Sequence, residues 1–412
     1  MSQLEKVKNF LIYQTDRISV DEMAKKGMIE YINFSWKHIL ENLSSAEREK
    51  SEDENQFLRQ NYIINFYSEL ATHKDEDGKI VGILTQLSDI HSLIKYKFKQ
   101  PEFVNDKINC YHKMKKYIQS LRDMSYKFRD LANPNDSNAF KEFDEELISD
   151  FKMIARQLSR LDIQTNALLL LLAIYEKYMN KPIQLLDLMK LCEIFMFRIY
   201  YIGNWRSYSA QSTIYSLANR IYKGELNYNE LLDEIKKMIN QYCPKDRIRN
   251  LLSDTSKNWY DWGGLKYILY EYERKRCEEE TGKTPKFEWE DLRERKKEDS
   301  IEHILPRTII ESSGKEVEYW ITKFDDKSYE KNINRLGNLT LSTSKENSKL
   351  GNASFDKKKE IYKSSNWQIA QDIANDYEEW TEEYINEREQ KLLDFAVERW
   401  GIDIIEANDY EH

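Results

Sequence analysis

The stretch that decides the interpretation of this chain is Ser300-Ile301-Glu302-His303-Ile304-Leu305-Pro306. Residues 300–305 predict a short strand, and Pro306 marks its end because proline cannot continue a central sheet ladder. Neighbouring side chains of a strand point to opposite faces, so Glu302 and His303 would project in different directions from the strand end. A carboxylate beside a histidine at such a position is the first candidate for a functional site in this sequence.

Two asparagines follow that stretch, nine residues apart. Asn338 opens a second predicted strand over residues 338–342, and Asn347 lies where helical sequence resumes. A basic helix is predicted over residues 355–363. The resulting order of strand, long loop, strand and helix is that of a ββα-metal finger.

These residue types suit the hydrolysis of a phosphodiester, which needs a base, a cation and an aligned substrate. His303 suits the base, because the pKa of histidine lies near neutrality. Glu302 and Asn347 carry hard oxygen ligands for Mg²⁺ or Mn²⁺. Asn338 suits a tether, since its amide can bond the backbone on both sides of a loop. Taken alone, each of these residues is explained more simply by a structural role, such as a turn or a cap.

The chain has a net charge of −9, which argues against a surface coated in basic residues. Residues 331–363 are the exception, because they hold eight basic and three acidic residues. This basic segment surrounds the two asparagines and predicts local contacts with nucleic acid. The predicted contacts are Arg335, Lys349, Lys357, Lys358 and Lys359. A solvated helix face is the alternative explanation of the same charges.

The composition favours a helical protein. Hydrophobic residues make up 40% of the chain and charged residues 33%, with only 12 Gly and 6 Pro. An all-β fold would need many more turns rich in Gly and Pro. Apolar residues recur at helical spacing through most of the N-terminal part, so we predict a helical scaffold or regulatory region over residues 1–255.

Residues 300–400 resemble the C-terminal domain of GmrSD-type modification-dependent restriction endonucleases, a branch of the His-Me finger (HNH-like) nucleases. The matching pieces are residues 301–306, residues 334–341, Asn347, residues 352–359 and residues 385–400. The resemblance implies that His303 is the general base and that Glu302 and Asn347 hold the metal. It also implies a structural Asn338 and a phosphate contact from Lys358.

This chain departs from many HNH nucleases at both predicted metal ligands. Those enzymes have Asp before the catalytic histidine and His at the last metal position, whereas this chain has Glu302 and Asn347. Both residues still offer a hard oxygen ligand, so the resemblance remains compatible with an active site.

Residues 1–260 more weakly resemble the helical region that follows an N-terminal sensor domain in fused members of that family. The family's sensor domain recognises modified DNA and turns over nucleotide. This sequence contains no phosphate loop of the form Gly-x-x-x-x-Gly-Lys-Ser/Thr. The resemblance therefore implies either a separate sensor or NTPase subunit, or the effector half of a split or truncated system.

The sequence thus predicts a mostly α-helical protein with a C-terminal ββα-metal (HNH-like) domain over residues 256–412 and a core motif over residues 300–363. It would cut or nick DNA, with Mg²⁺ or Mn²⁺, as an effector against foreign DNA, modified DNA included. Two alternatives remain: a helical adaptor whose nuclease-like domain binds DNA or a partner without cutting, and an RNase effector. The N-terminus lacks a signal-peptide core, and the longest apolar run, residues 167–175, is too short for a bilayer. A cytoplasmic protein with no membrane partner is expected.

Overall fold

The computed structural model describes residues 2–44, 50–70, 82, 87–99, 105–162, 165–293, 296, 300–309 and 315–402. This part of the chain is mostly α-helical, which confirms the predicted fold class at that level. Its contacts divide it into two units. One holds the described residues up to Met196 together with Arg206–Ile235, and the other holds Phe197–Trp205 and the described residues from Lys236 on. The predicted domains, 1–255 and 256–412, stay a prediction.

The first unit is built from helices alone in its described residues. These helices are α1 (Gln3–Ile18), α2 (Glu22–Ser44), α3 (Lys50–Leu70), α4 (Ile90–Lys99), α5 (Lys107–Ala132), α6 (Glu145–Arg160), α7 (Thr165–Tyr178), α8 (Pro182–Met196) and α9 (Gln211–Lys223), with the first part of α10 (Tyr228–Tyr242). Helix α7 contains the apolar run and packs against α8 and α9, so the run is buried on every side. Nowhere in the described residues is a helix long and apolar enough to cross a membrane.

The second unit contains shorter helices and the two strands. In chain order its elements are a π-helical turn (Phe197–Ile202), the end of α10, α11 (Arg247–Leu252), a 3₁₀ turn (Trp259–Asp261), α12 (Leu265–Thr281), α13 (Trp289–Arg293), β1 (Ile301–His303), α14 (Lys315–Lys323), α15 (Asp326–Asn332), a second 3₁₀ turn (Leu336–Asn338), β2 (Leu339–Leu341), α16 (Ser344–Leu350), α17 (Phe355–Lys363), α18 (Gln368–Asp376) and α19 (Glu382–Trp400). The strands and helices predicted around the motif are therefore present, with the strands shorter than expected.

Strands β1 and β2 pair antiparallel, with Glu302 opposite Thr340 and His303 opposite Leu339. All six strand residues are buried, because helices cover this small sheet. Helices α12 and α18 both contact β2. A sheet of two three-residue strands has little stability of its own, so these helices must supply the support that holds the motif in place.

A buried carboxylate joins two of the supporting helices. Glu273 of α12 accepts hydrogen bonds from the backbone N–H groups of Gln368 and Ile369, each at 2.8 Å. These donors belong to the first turn of α18, where backbone N–H groups have no partner within the helix. Burial raises the pKa of Glu273, and the two backbone bonds oppose that shift. The first turn of α18 is thereby anchored to α12 beneath the sheet.

Candidate active site

A cleft of about 190 Å³ opens beside the end of β1. The residues that line it and matter for its chemistry are Tyr260, Glu302, His303, Arg307, Asn347 and Asn352. Three of the four residues predicted from the sequence to form the site, all except the tether Asn338, therefore line one cavity. Tyr260 and Arg307, which the sequence did not single out, line it as well.

His303 is nearly buried, with 6% of its surface exposed. Its Nε2 lies 3.1 Å from Oδ1 of Asn334, and its ring centroid lies 4.6 Å from that of Tyr260. Burial lowers the pKa of His303 from 6.5 to about 4, and the nearby charges of Arg307 and Lys358 act in the same direction. The imidazole is therefore neutral at pH 7 and able to accept a proton.

The partner of His303 determines which ring nitrogen is the base. An amide oxygen only accepts hydrogen bonds, so Oδ1 of Asn334 requires the proton to be on Nε2. The lone pair is then on Nδ1, which is the nitrogen left to take a proton from water. The carbonyl of Asn334 accepts from the N–H of Trp259 at 3.0 Å, next to Tyr260. The 3₁₀ turn Trp259–Asp261 therefore supplies the Tyr260 ring that contacts His303, and its Trp259 N–H also anchors Asn334, which orients His303.

Asn338 ties the end of β1 to the chain before β2. Its Oδ1 accepts from the N–H of Leu305 at 2.7 Å and from Nε1 of Trp380 at 3.0 Å. Its Nδ2 donates to the carbonyls of Leu305 at 3.1 Å and Ile333 at 2.8 Å. The residue is fully buried, and its amide uses two donor and two acceptor positions. This geometry is that of a tether immediately behind His303.

Helix α19 holds the turn that contains Asn338. Arg388 donates from Nη1 to the carbonyls of Gly337 at 2.7 Å and Leu339 at 2.9 Å. Gly337 lies so close to α19 that an added Cβ would clash with the carbonyl of Ile385, which explains a glycine at this position. Arg335 forms a buried ion pair with Glu389 on the same helix. The C-terminal helix thus supports the site although it lies outside the cleft.

Glu302 is paired with a buried lysine. Nζ of Lys358 on α17 lies 2.5 Å from Oε1 of Glu302 and donates to the carbonyl of His303 at 2.8 Å. Lys358 is 0% exposed and Glu302 6% exposed. Burial raises the pKa of the Glu302 carboxyl, whereas the ammonium group of Lys358 opposes that rise. The two residues neutralise each other inside the domain, since an unpaired charge at this depth would be strongly unfavourable.

Asn347 reaches the cleft from α16. Thr343 and Glu346 form a capping box at the start of this helix, which fixes where the helix begins. Oδ1 of Asn347 accepts from Oγ of Ser342 at 2.8 Å, and its Nδ2 donates to the carbonyl of Ile301 at 3.4 Å. The amide is therefore anchored to the first residue of β1 and to the residue that follows β2.

The donors in the cleft fit a small hard cation. Glu302 and Asn347 both line it and both carry oxygen donors, and Lys358 is bonded to only one carboxylate oxygen of Glu302. In the described part of the chain, no group of three or more His, Cys, Asp or Glu side chains is placed to share a metal ion. Mg²⁺ usually keeps several water ligands and binds one or two protein oxygens, so this sparse donor set suits it.

The five residues predicted to contact nucleic acid differ in their burial and in their ion pairs. Lys358 and Arg335 are buried in ion pairs with Glu302 and Glu389, so in this structure neither charge is presented at the surface. Lys357 and Lys359 pair with Glu316 and Glu378. Lys349 is exposed at the end of α16. The basic segment is therefore mostly neutralised by acidic residues that are distant in the sequence.

Sequence reasoning missed Asn334, Tyr260 and Arg307. Asn334 begins the run Asn334-Arg335-Leu336-Gly337-Asn338, which belongs to the family resemblance, but no role was predicted for its side chain. Tyr260 lies more than 40 residues before His303, in a segment without motif character. Arg307 directly follows Pro306 and lies outside the basic segment over residues 331–363, so the local charge did not indicate a role for it.

The fold and the cleft define a helical protein with a small two-stranded motif built around a histidine. The model of one sequence family matches residues 243–395, and its description is GmrSD restriction endonucleases, C-terminal domain. This match confirms the resemblance of the C-terminal part of the chain to that domain, and its range contains every cleft residue discussed above. No curated protein matched the chain in a sequence comparison.

Proposed function

We propose that the C-terminal part of this protein, residues 256–412, is a metal-dependent endonuclease domain that cuts or nicks DNA. The observation that carries the proposal is a neutral, oriented His303 at the end of β1. This histidine lies in a cleft with two oxygen donors. The match to a restriction-endonuclease domain over residues 243–395 supports the same reaction class.

In the proposed reaction Nδ1 of His303 takes a proton from the attacking water. Asn334 keeps the proton on Nε2, and Tyr260 limits rotation of the ring. Asn338 fixes the backbone at Leu305 and so holds the base at the end of the strand. A general base of this kind contributes about 10²–10⁴ to a rate.

Glu302 and Asn347 are the proposed ligands of Mg²⁺ or Mn²⁺, with water completing the coordination. Such a cation, when bound, would offset negative charge on the phosphate and on the leaving oxygen. The order β1, β2 and α16, with the histidine on the first strand and Asn347 on the helix, supports a ββα-metal (HNH-like) arrangement. Removal of divalent ions should therefore abolish cleavage.

The family match supports a wider role, which is part of the same proposal. The protein would act in the cytoplasm as an effector of restriction or anti-phage defence, with foreign and modified DNA as candidate targets. The helical region over residues 1–255 would be a scaffold or regulatory part. A separate sensor or NTPase subunit would then activate cleavage.

One observation favours a second candidate, an adaptor that binds DNA or a partner without cutting. The carboxylate proposed as a metal ligand is already paired with Lys358 inside the protein. If that pair stays closed, the cleft keeps its shape and loses its strongest cation ligand. The nuclease therefore requires a divalent ion to bind in the cleft, whereas the adaptor does not.

The test is cleavage of supercoiled plasmid by the purified full chain with Mg²⁺, Mn²⁺ or EDTA. His303→Ala and Asn347→Ala should abolish metal-dependent nicking, whereas His112→Ala, a change of an exposed histidine in the first unit, should not. Nicking that persists in His303→Ala would reject the proposed site. Cleavage of RNA but not DNA would favour the RNase alternative. Metal-independent DNA binding without cleavage, on plain and modified plasmid, would favour the adaptor.

A further inference from the structure

We propose that Arg307 is the residue that contacts a backbone phosphate of DNA bound in the cleft. This inference rests on the proposed function and names a substrate-binding residue for it. It replaces the sequence-based choice of Lys358, whose ammonium group lies inside the domain against Glu302.

Arg307 lies at the cleft and is exposed. Of the described residues that line the cleft, it is the one with a cationic side chain. No ion pair joins it to a carboxylate of the described residues, in contrast to Lys357, Lys358 and Lys359. Its charge is therefore available to a ligand at the position where a nucleic-acid strand would approach His303.

The guanidinium group of Arg307 is held beside the base. Its carbon lies 5.4 Å from the ring centroid of Tyr260, a distance at which a cation and an aromatic face attract each other. The same ring lies 4.6 Å, centroid to centroid, from His303. Tyr260 thus positions the proposed base and the proposed phosphate contact together.

The backbone that leads to Arg307 is fixed as well. The preceding carbonyl, that of Pro306, accepts a hydrogen bond from the Tyr329 hydroxyl at 3.0 Å. One residue earlier, Leu305 is bonded through both its N–H and its carbonyl to Asn338. A guanidinium group on an anchored segment can offer two parallel N–H donors to a phosphate, which is the geometry that favours arginine for this task.

The experiment measures DNA binding separately from cleavage. In a His303→Ala background, which removes the proposed base, the dissociation constant of a fluorescent DNA duplex is measured over a series of salt concentrations. Arg307→Gln should weaken binding by about tenfold at low salt, because a charge-assisted hydrogen bond is lost. The slope of log K against log salt should fall by about one. Arg307→Lys should recover the slope but only part of the affinity.

The matched control is Lys283→Gln, which removes one exposed positive charge from the same unit outside the cleft. It should leave both affinity and salt slope within about twofold of the parent, since a surface charge away from the ligand acts only weakly. Equal effects of Lys283→Gln and Arg307→Gln would overturn the inference. The inference would also be overturned if Arg307→Gln left the affinity for DNA and the salt slope unchanged. Metal-dependent cleavage by the unmodified chain would in that case still support the proposed function. Failure of the parent to bind DNA at all would overturn the inference together with the proposed DNA substrate.

Discussion

Oδ1 of Asn334 lies 3.1 Å from Nε2 of His303 and so fixes the tautomer and the direction of the imidazole. The two residues are far apart in the sequence, and the antiparallel pairing of β1 with β2 brings their segments together. Asn334 acts through His303, so it is a positioning residue for the proposed reaction.

Replacement of Asn334 by Ala should slow cleavage by about 10² or more, because a misoriented base loses most of the contribution of general-base catalysis. Binding of DNA, measured in parallel, should stay within about twofold of the parent. Asn334→Asp should recover part of the rate, since its carboxylate still accepts from Nε2. Full activity in Asn334→Ala would show that the hydrogen bond has only a structural role.

The low pKa of His303 makes the stability of the protein depend on pH. The unfolded chain takes up a proton at this residue below pH 6.5, whereas the folded protein does so only below about pH 4. Between these values the unfolded state binds more protons, so stability falls as the pH is lowered. From pH 7.5 to pH 5 the loss from this residue should be about 2 kcal/mol. Denaturant unfolding followed across this range should show a smaller loss in His303→Gln than in the parent.

We expect the buried ion pair between Lys358 and Glu302 to contribute to the stability of the fold rather than to the charge of the protein surface. Lys358→Met leaves a buried carboxylate without its partner, which typically costs about 3–5 kcal/mol. A double variant, Glu302→Gln with Lys358→Met, should recover most of that loss. Chemical denaturation of the two variants tests the idea. A Lys358→Met protein as stable as the parent, but with weakened DNA binding, would instead support the original phosphate-contact role.

Loss of the Asn338 amide should damage stability and cleavage together. Asn338→Ala removes four hydrogen bonds and should destabilise the second unit by about 2–4 kcal/mol. Asn338→Asp keeps the acceptor and loses the donors to Leu305 and Ile333, so an intermediate effect is expected. Hydrogen exchange at the Leu305 amide would report the loosened loop directly. Unchanged exchange in Asn338→Ala would rule out the tether.

Local patterns in the sequence predicted the elements well where a short signal was present. The strand predicted over residues 300–305 is present as the shorter β1, which ends at His303, and helix α17 spans the predicted residues 355–363. The capping pair Thr343 and Glu346 determines where α16 begins, and it is a signal of the same local kind. Such signals act over three or four residues and need no knowledge of the rest of the chain.

The sequence alone did not predict which charged residues form ion pairs. The basic segment over residues 331–363 looks like one positive surface when charges are counted along the chain. In the fold, three of its basic residues pair with acidic residues from other parts of the chain, namely Glu316, Glu378 and Glu389. A count of charges along the chain does not show which basic residues are paired with acidic residues from distant parts of the sequence.

By itself, the sequence predicted a mostly helical protein, which the structure confirms, and a site formed by Glu302, His303, Asn338 and Asn347, which stays a prediction. Only the tertiary structure decided that His303 is buried and neutral, that Glu302 is paired with Lys358, and that Arg307 lines the cleft. The physical reason is that residue type and local spacing set which bonds a side chain is able to make. Burial and long-range partners set which of those bonds it does make, and they depend on the packed helices around the sheet.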